Sequence, residues 1–347
     1  MNFASDNWAG ATAPVMAALA RHSAGFASAY GTDPLTAALE KRFCEIFERE
    51  VSVFFVATGS AANSLALSAF ARPGGAIFCH EDAHIRVDEC GCPEFLTSGN
   101  KLVGVAGVNG KMTPEALSQS MADFPDGVVH HGQVAAVSIT QATEVGTLYS
   151  LDEIAAIKAV AESRGVPLHM DGARFANALA SLGATPAEMT WKAGVDALSF
   201  GATKNGCWCA EVIVFFDPEQ AKGFEYFRKR AGHLFSKSRF VAAQLEGYLE
   251  NDNWLTTAAH ANEQAKRLAQ GVEQRGGRLL SPVQANEVFP IIGKVQAAKL
   301  RQGGAMFHEW PVQASHPNAP VEGDVAIRLV TSFATSPEEV SQFLDLL

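Results

Sequence analysis

Residues 193–209 read AGVDALSFGATKNGCWC. The apolar run Val195–Phe200 has the length of a buried strand, and it leads through Gly201 into a turn that contains one lysine, Lys204. An isolated lysine in such a turn most often extends its amine to water, because burial destabilises the ammonium. The small residues on both sides leave room for a ligand as well, so the interpretation of Lys204 depends on what lies near it.

The segments around this stretch alternate between strand-like and helix-like patterns. The strand-like runs are Val53–Ala57, Ala76–Cys79, Leu102–Ala106, Ala135–Ile139, Val166–Met170, Val195–Phe200 and Glu211–Phe216. Helical patterns such as Ser60–Ala71 and Leu151–Arg164 lie between them. Strands separated by helices predict βαβ units and a mostly parallel sheet.

The pattern changes after Pro218. Helical segments dominate from Phe224 to Gln274, and two strand-like pieces and a last helix follow. The sequence therefore predicts an α/β fold with a large domain over residues 1–240 and a smaller C-terminal α+β domain over residues 241–347.

Composition excludes several classes of protein. The chain has 347 residues, 48% of them hydrophobic, and a formal net charge of −10, which argues against general binding to nucleic acid or to an anionic membrane. No signal-peptide pattern and no apolar run of transmembrane length occurs. The six cysteines include two C-x-C pairs without the spacing of a metal site, so we expect reduced thiols, no metal and a cytoplasmic location.

Three strand ends carry polar groups that one cofactor would use together. Thr58-Gly59-Ser60 opens a helix, where free N–H groups suit a phosphate, although an ordinary capped helix start has the same pattern. Asp171 and Arg174 follow the strand Val166–Met170, either as pocket residues or as a structural ion pair. Lys204 follows the next strand along the chain, so the end of its strand can lie beside the strand end that carries Asp171.

A phosphate site, a carboxylate and a lysine at one sheet edge match pyridoxal 5'-phosphate (PLP). This cofactor has a phosphate, a ring nitrogen that an acid keeps protonated, and an aldehyde that bonds a lysine amine. A binding protein that holds a phosphate-bearing ligand without catalysis is the alternative from another class.

Two motifs carry a resemblance to a known family: LHMDGARFANAL around Asp171 and LSFGATKNGC around Lys204. With them the chain resembles the threonine aldolases, which belong to the aspartate-aminotransferase-like, fold type I PLP enzymes. The resemblance extends from FASDNWAGATAP to IRLVTSFATSPEEV, nearly the whole chain. It implies retro-aldol cleavage of L-threonine, L-allo-threonine or phenylserine to glycine and an aldehyde, with β-elimination on the same fold as the nearest alternative.

The resemblance also implies a role for particular residues. The catalytic candidates are Lys204, which bonds the cofactor, His84, which stacks on the ring, and His130, a second histidine; the cofactor-binding candidates are Gly59, Ser60, Asp171, Arg174, Thr203 and Lys204; and the substrate-binding candidates are Ser5, Arg174 and Arg328. His131 competes with His130, and His84, His130 or a water is the base. The enzyme is expected to be a homodimer or homotetramer with shared active sites, in which Lys229, Lys237 or Arg239 of a neighbouring subunit approaches the phosphate.

Overall fold

The alternating part of the chain folds into a seven-stranded sheet in a computed structural model, which describes residues 1–313 and 316–347. The strands are β1 (Ser52–Val56), β2 (Gly75–His80), β3 (Lys101–Val105), β4 (Gln133–Thr140), β5 (Leu168–Gly172), β6 (Ala197–Gly201) and β7 (Glu211–Phe215). Their spatial order is β1-β7-β6-β5-β4-β2-β3. All neighbouring strands are parallel except that β7 runs antiparallel to both β6 and β1. The predicted mostly parallel α/β sheet is confirmed.

Helices cover both faces of this sheet and follow its strands. The α-helices of the described residues are α1 (Ala13–Arg21), α2 (Pro34–Ile46), α3 (Gly59–Ser68), α4 (His84–Val87), α5 (Cys92–Leu96), α6 (Pro114–Ala122), α7 (Leu151–Ser163), α8 (Phe175–Leu182), α9 (Pro186–Met189), α10 (Phe224–Arg230), α11 (Arg239–Leu249), α12 (Asn253–Gln274), α13 (Lys294–Gln302) and α14 (Pro337–Leu346). Local sequence fixes several of their starts, as at α7, where Ser150 and Glu153 form a capping box. Because both faces are covered, β5, β6 and β7 are buried along their whole length.

A second, smaller antiparallel sheet forms in the C-terminal part of the chain. Its strands are β8 (Arg278–Leu279), β9 (Glu287–Val288), β10 (Pro290–Gly293), β11 (His308–Glu309) and β12 (Asp324–Val330). It has its own hydrophobic core, which includes Leu268 of α12 and Phe343 of α14. The smaller C-terminal unit is thus present as expected, while a boundary after residue 240, near the start of α11, stays a prediction. Helix α11 packs against α1 and α2.

The N-terminal residues connect the small sheet with the edge of the large one. Phe3 lies in the small core, donates its N–H to the Met306 carbonyl and accepts the N–H of Val330. Asp6, three residues later, is buried beside the large sheet. No helix in the described part of the chain is both long and apolar enough to cross a membrane.

Candidate active site

A cavity of about 400 Å³ lies at the edge of the large sheet where the parallel strands end. Lys204, Asp171, Ser60, His84 and Thr140 all line it. Strands β5 and β6 are parallel neighbours, which brings Asp171 and Lys204 to the same edge as predicted. The crevice at the carboxyl ends of the strands is where open α/β sheets bind their ligands.

The turn that carries Lys204 is fixed by its two following residues. Asn205 is buried and donates both hydrogens of its amide, to the Tyr248 hydroxyl at 2.9 Å and to the Trp254 carbonyl at 2.8 Å. Gly206 has φ +124°, and a Cβ there would lie 2.5 Å from Cγ2 of Thr12, so only glycine fits. Within residues 1–313 and 316–347, no hydrogen bond or ion pair holds the Lys204 amine. The lysine is therefore presented on a rigid turn with its amine available.

Asp171 is buried and accepts two hydrogen bonds. Asn63 of α3 donates to Oδ2 at 2.9 Å, and the backbone N–H of Ala173 donates to Oδ1 at 3.0 Å. N–H donors stabilise the ionised form of a carboxyl group. The side chain of His169, two residues earlier, hydrogen-bonds Ser138 and Ser199 instead of Asp171, and burial lowers its pKa to about 4.

His84 is the first residue of α4 and lines the same cavity. Its Nδ1 lies 2.9 Å from Oε1 of Glu89, whose side chain is fully buried. This hydrogen bond raises the pKa of His84 above its ordinary value, against the lowering effect of burial. Since Nδ1 is engaged, Nε2 is the nitrogen left for a ligand.

The first turn of α3 forms an anion-binding site. The Thr58 side chain caps the helix by accepting the N–H of Ala61 at 3.2 Å. The N–H groups of Gly59 and Ser60 have no partner among the described residues, so they are free to bind an anion. A Cβ built on Gly59 would have no atom within 4 Å, which shows that the space next to this turn is open.

Arg174 is held by two buried carboxylates. Its Nε donates to Asp6 Oδ2 at 2.8 Å, its Nη2 donates to Asp6 Oδ1 at 3.2 Å, and its Nη1 lies 3.1 Å from Oε2 of Glu287. Burial alone would lower the pKa of Arg174, but the two carboxylates outweigh it and raise the pKa. Arg174 lines the cavity as predicted, but the Asp6 and Glu287 carboxylates already neutralise its charge.

Ser5 and Arg328 are both close to Ala4 in the N-terminal segment, but neither is among the residues that line the cavity. Arg328, on β12, donates from Nη2 to the Ala4 carbonyl at 3.4 Å, and its guanidinium stacks over Trp310. Its Nε is buried without a hydrogen-bond partner in the described structure. The Ser5 hydroxyl accepts the N–H of Asn7, which lines the cavity. An unsatisfied guanidinium nitrogen is suited to an anionic ligand such as a carboxylate.

Comparison with known proteins places this geometry in a family. The profile of the β-eliminating lyase family matches residues 2–294. The chain belongs to this family. A low specificity L-threonine aldolase of a Pseudomonas species is 45% identical over 307 residues, which cover 88% of each chain, and its counterpart in Pseudomonas aeruginosa is equally similar.

Solved structures agree with this assignment. The threonine aldolase of Leishmania major superposes with a TM-score of 0.92 at 27% identity, over 99% of this chain and 98% of that one. Serine palmitoyltransferase of Sphingomonas wittichii, at 19% identity and a TM-score of 0.69, covers 100% of this chain and 86% of that one and shows the shared fold alone. The predicted fold class, with its smaller C-terminal unit, is confirmed.

The cofactor of this lyase is PLP, as predicted. The residues present fit that group: an open helix start for the phosphate, a buried carboxylate held by two N–H donors, and a lysine amine that has no partner among the described residues. The aldolase relatives favour carbon–carbon cleavage over β-elimination and over non-catalytic binding.

The structure does not bring every predicted residue of this lyase to the cavity. His130 and His131 are exposed and precede β4, whereas Thr140 at the other end of β4 lines the cavity. Eight residues of strand separate these ends by roughly 23 Å. Thr203 does line the cavity, but its hydroxyl accepts the Ala210 N–H at 3.2 Å and so closes the lysine turn.

Sequence reasoning missed four carboxyl or amide residues that line the cavity: Asn63, Glu89, Glu144 and Glu211. Glu211 begins β7 opposite Gly201, and burial raises its pKa to about 7. The loop between β6 and β7 is too short for a crossover helix, which is the signal that β7 is antiparallel and starts at this edge. Burial likewise raises the pKa of Glu144, which follows the Thr140-Gln141 pair at the end of β4.

Proposed function

We propose that this lyase cleaves L-threonine, L-allo-threonine and related β-hydroxy-α-amino acids such as phenylserine into glycine and an aldehyde. The observation that carries the proposal is the cavity in which Lys204, Asp171 and the open start of α3 meet, in a chain 45% identical to low specificity L-threonine aldolases. Bound PLP supplies an aldehyde that bonds the substrate amine and a protonated ring that accepts the electrons of the broken Cα–Cβ bond.

The residues of the chain would divide the remaining work. Lys204 would hold the cofactor through its amine, and the carboxylate of Asp171 would hold a proton on the ring nitrogen. Arg328 holds the substrate carboxylate and so sets which bond at Cα is broken. His84 takes the proton of the substrate hydroxyl at Nε2, because Glu89 at Nδ1 stabilises the imidazolium that results.

Product analysis tests this function. Purified enzyme with PLP and L-threonine is expected to release glycine and acetaldehyde in equal amounts, and Lys204→Ala is expected to lose this activity. The variant is a fair comparison because the lysine amine holds no structural bond among the described residues. Pyruvate and ammonia in place of glycine would establish β-elimination, and the absence of both product pairs with all three substrates would refute the proposal.

We further propose a homodimer or homotetramer with shared active sites. Within the part of the chain that the structure describes, Lys204 and Arg174 are the lysine and arginine of the cavity lining, and Arg174 is neutralised by Asp6 and Glu287. The amine of Lys204 would be bonded to the cofactor aldehyde and would not be free to bind the phosphate. A phosphate dianion at Gly59 and Ser60 would then face N–H groups without a cation, which favours a contribution from a second copy.

Lys237 is the best candidate for that cation. The Lys229 amine lies over the Tyr30 ring at 5.0 Å, and Arg239 donates to the Gly25 carbonyl at 3.2 Å. Lys237 is exposed and makes no such contact in the described residues. Co-expressed Lys204→Ala and Lys237→Ala copies test the idea, since a shared site would regain activity in about a quarter of all sites. Two inactive variants that stay inactive together would refute it.

The cytoplasm remains the proposed location. All six cysteines are free, in agreement with a reducing compartment.

A further inference from the structure

Two buried carboxylates at the cavity share one amide group. Nδ2 of Asn63 lies 2.9 Å from Oε1 of Glu89 and 2.9 Å from Oδ2 of Asp171. Glu89 is 5% exposed and Asp171 is 2% exposed, so water does little to solvate either charge. An amide nitrogen carries two hydrogens and accepts none, so both hydrogens of Asn63 are used.

The chain of hydrogen bonds continues to His84. The same oxygen of Glu89 that accepts from Asn63 lies 2.9 Å from Nδ1 of His84. His84, Glu89, Asn63 and Asp171 therefore form one series across the cavity. The second oxygen of Glu89 and Oδ1 of Asn63 are buried without partners in the described structure, so this series accounts for the polar contacts of both side chains.

We propose that Asn63 is a positioning residue that couples His84 to Asp171. Its amide fixes the distance between the carboxylate at the cofactor ring nitrogen and the histidine at the substrate hydroxyl, and it sets how strongly Glu89 holds the His84 proton. The roles of the two end residues rest on the proposed function, whereas the coupling itself does not.

Electrostatics gives this coupling a sign. The amide hydrogens place positive partial charge between the two carboxylates, so they weaken the negative potential of Glu89 at His84. Removing them in Asn63→Ala leaves a stronger acceptor at His84 and raises the histidine pKa. Glu89→Gln removes the charge and lowers the histidine pKa. The other charged groups that face His84 stay in place in both variants: Glu144, Asp171 and Lys204.

Histidine titration measures the effect without an activity assay. The PLP-loaded enzyme is labelled with ¹³C in its histidine rings, the His84 signal is identified by its loss in His84→Asn, and its midpoint is followed by NMR. Asn63→Ala is expected to raise the midpoint by roughly half a pH unit or more and Glu89→Gln to lower it by at least as much. The dissociation constant of PLP is expected to rise roughly tenfold in Asn63→Ala, as Asp171 loses a donor.

Asn177→Ala is the matched control, because Asn177 is another buried asparagine that bonds a side chain, that of Asn262, away from the cavity. It is expected to leave the His84 midpoint unchanged. If Asn63→Ala does not fold, Asn63→Ser is measured in its place.

Two results would overturn the inference: a His84 midpoint that Asn63→Ala leaves unchanged, or one that it shifts in the same direction as Glu89→Gln. The inference is separable from the proposed function. If the His84 midpoint shifts in a protein that forms no glycine, the coupling is supported and the aldolase activity is rejected. If glycine forms and the midpoint is unchanged, the aldolase activity is supported and the coupling is rejected.

Discussion

Gly206 offers a quantitative test of how the lysine turn is built. Gly206→Ala places a Cβ at φ +124° and 2.5 Å from Cγ2 of Thr12, where carbon atoms ordinarily stay about 3.5–4.0 Å apart. The backbone strain costs about 1–3 kcal/mol, and clearing the overlap costs about another 1–3 kcal/mol. Together they predict a loss of roughly 2–6 kcal/mol in the free energy of unfolding.

A second substitution separates the two contributions. Thr12→Ala removes Cγ2, and the nearest remaining Thr12 atom, Cβ, lies 3.5 Å from the added methyl, an ordinary contact. Thr12 is the N-cap residue of α1 but makes no capping hydrogen bond with its side chain, so Thr12→Ala alone is expected to cost little stability. The double variant is expected to regain the overlap part, about 1–3 kcal/mol, and to keep the strain.

Urea unfolding of the PLP-loaded enzyme, followed by circular dichroism at one protein and one PLP concentration, measures these differences. Gly99→Ala is the control for strain alone, because Gly99 has φ +91° and no atom within 4 Å of an added Cβ. A Gly206→Ala variant that loses no more stability than Gly99→Ala, or a double variant to which Thr12→Ala restores nothing, would contradict the predicted overlap.

Three further predictions concern single side chains. Burial raises the pKa of Glu211 to about 7 from an ordinary value of 4.5, so the folded protein binds the extra proton and loses stability as pH rises between these values. In Glu211→Gln, whose amide oxygen can still accept the Thr203 N–H, the midpoint of urea unfolding should depend less on pH over this range. An unchanged pH dependence would contradict the raised pKa. Burial lowers the pKa of His169 to about 4 from 6.5, so stability is lost as pH falls from 6.5 towards 4. His169→Gln should reduce this loss of stability, measured by urea unfolding across the same pH range. A loss as steep as that of the wild type would argue against a neutral buried imidazole. Arg328→Lys should raise KM for L-threonine roughly tenfold with a smaller change in kcat, because a lysine cannot bind a carboxylate in a bidentate manner; an unaltered KM would remove Arg328 from the substrate site.

Strand ends made most of the site predictable. Lys204 and Asp171 follow consecutive strands that pair in parallel, and Gly59 and Ser60 start a helix directly after β1. These positions depend only on local pattern and on the rule that parallel strands end at one edge. The same rule places His130, which precedes its strand, at the opposite edge of the sheet in the same chain.

Long-range pairing explains what sequence reasoning missed. Asp6 reaches Arg174 because the N-terminal residues add to the small sheet, and Glu287 reaches it from β9 of that sheet. Nothing in the local pattern of either segment reveals these partners. Predicting Glu211 as a site residue required the direction of β7, and predicting Asn63 required knowing which face of α3 points to the cavity.

The reversed direction of β7 also decides where this enzyme tolerates redesign. Strand β7 pairs with β1 and β6 pairs with β5, so the β6–β7 hairpin that holds Lys204 is hydrogen-bonded to a neighbouring strand on each side. Insertions or length changes there would shift the lysine and Glu211 together. Trp208, at the tip of the hairpin, lines the cavity and is 68% exposed, so its side chain can change without disturbing either ladder. A search for altered aldehyde preference would therefore vary Trp208 first and leave the hairpin length intact.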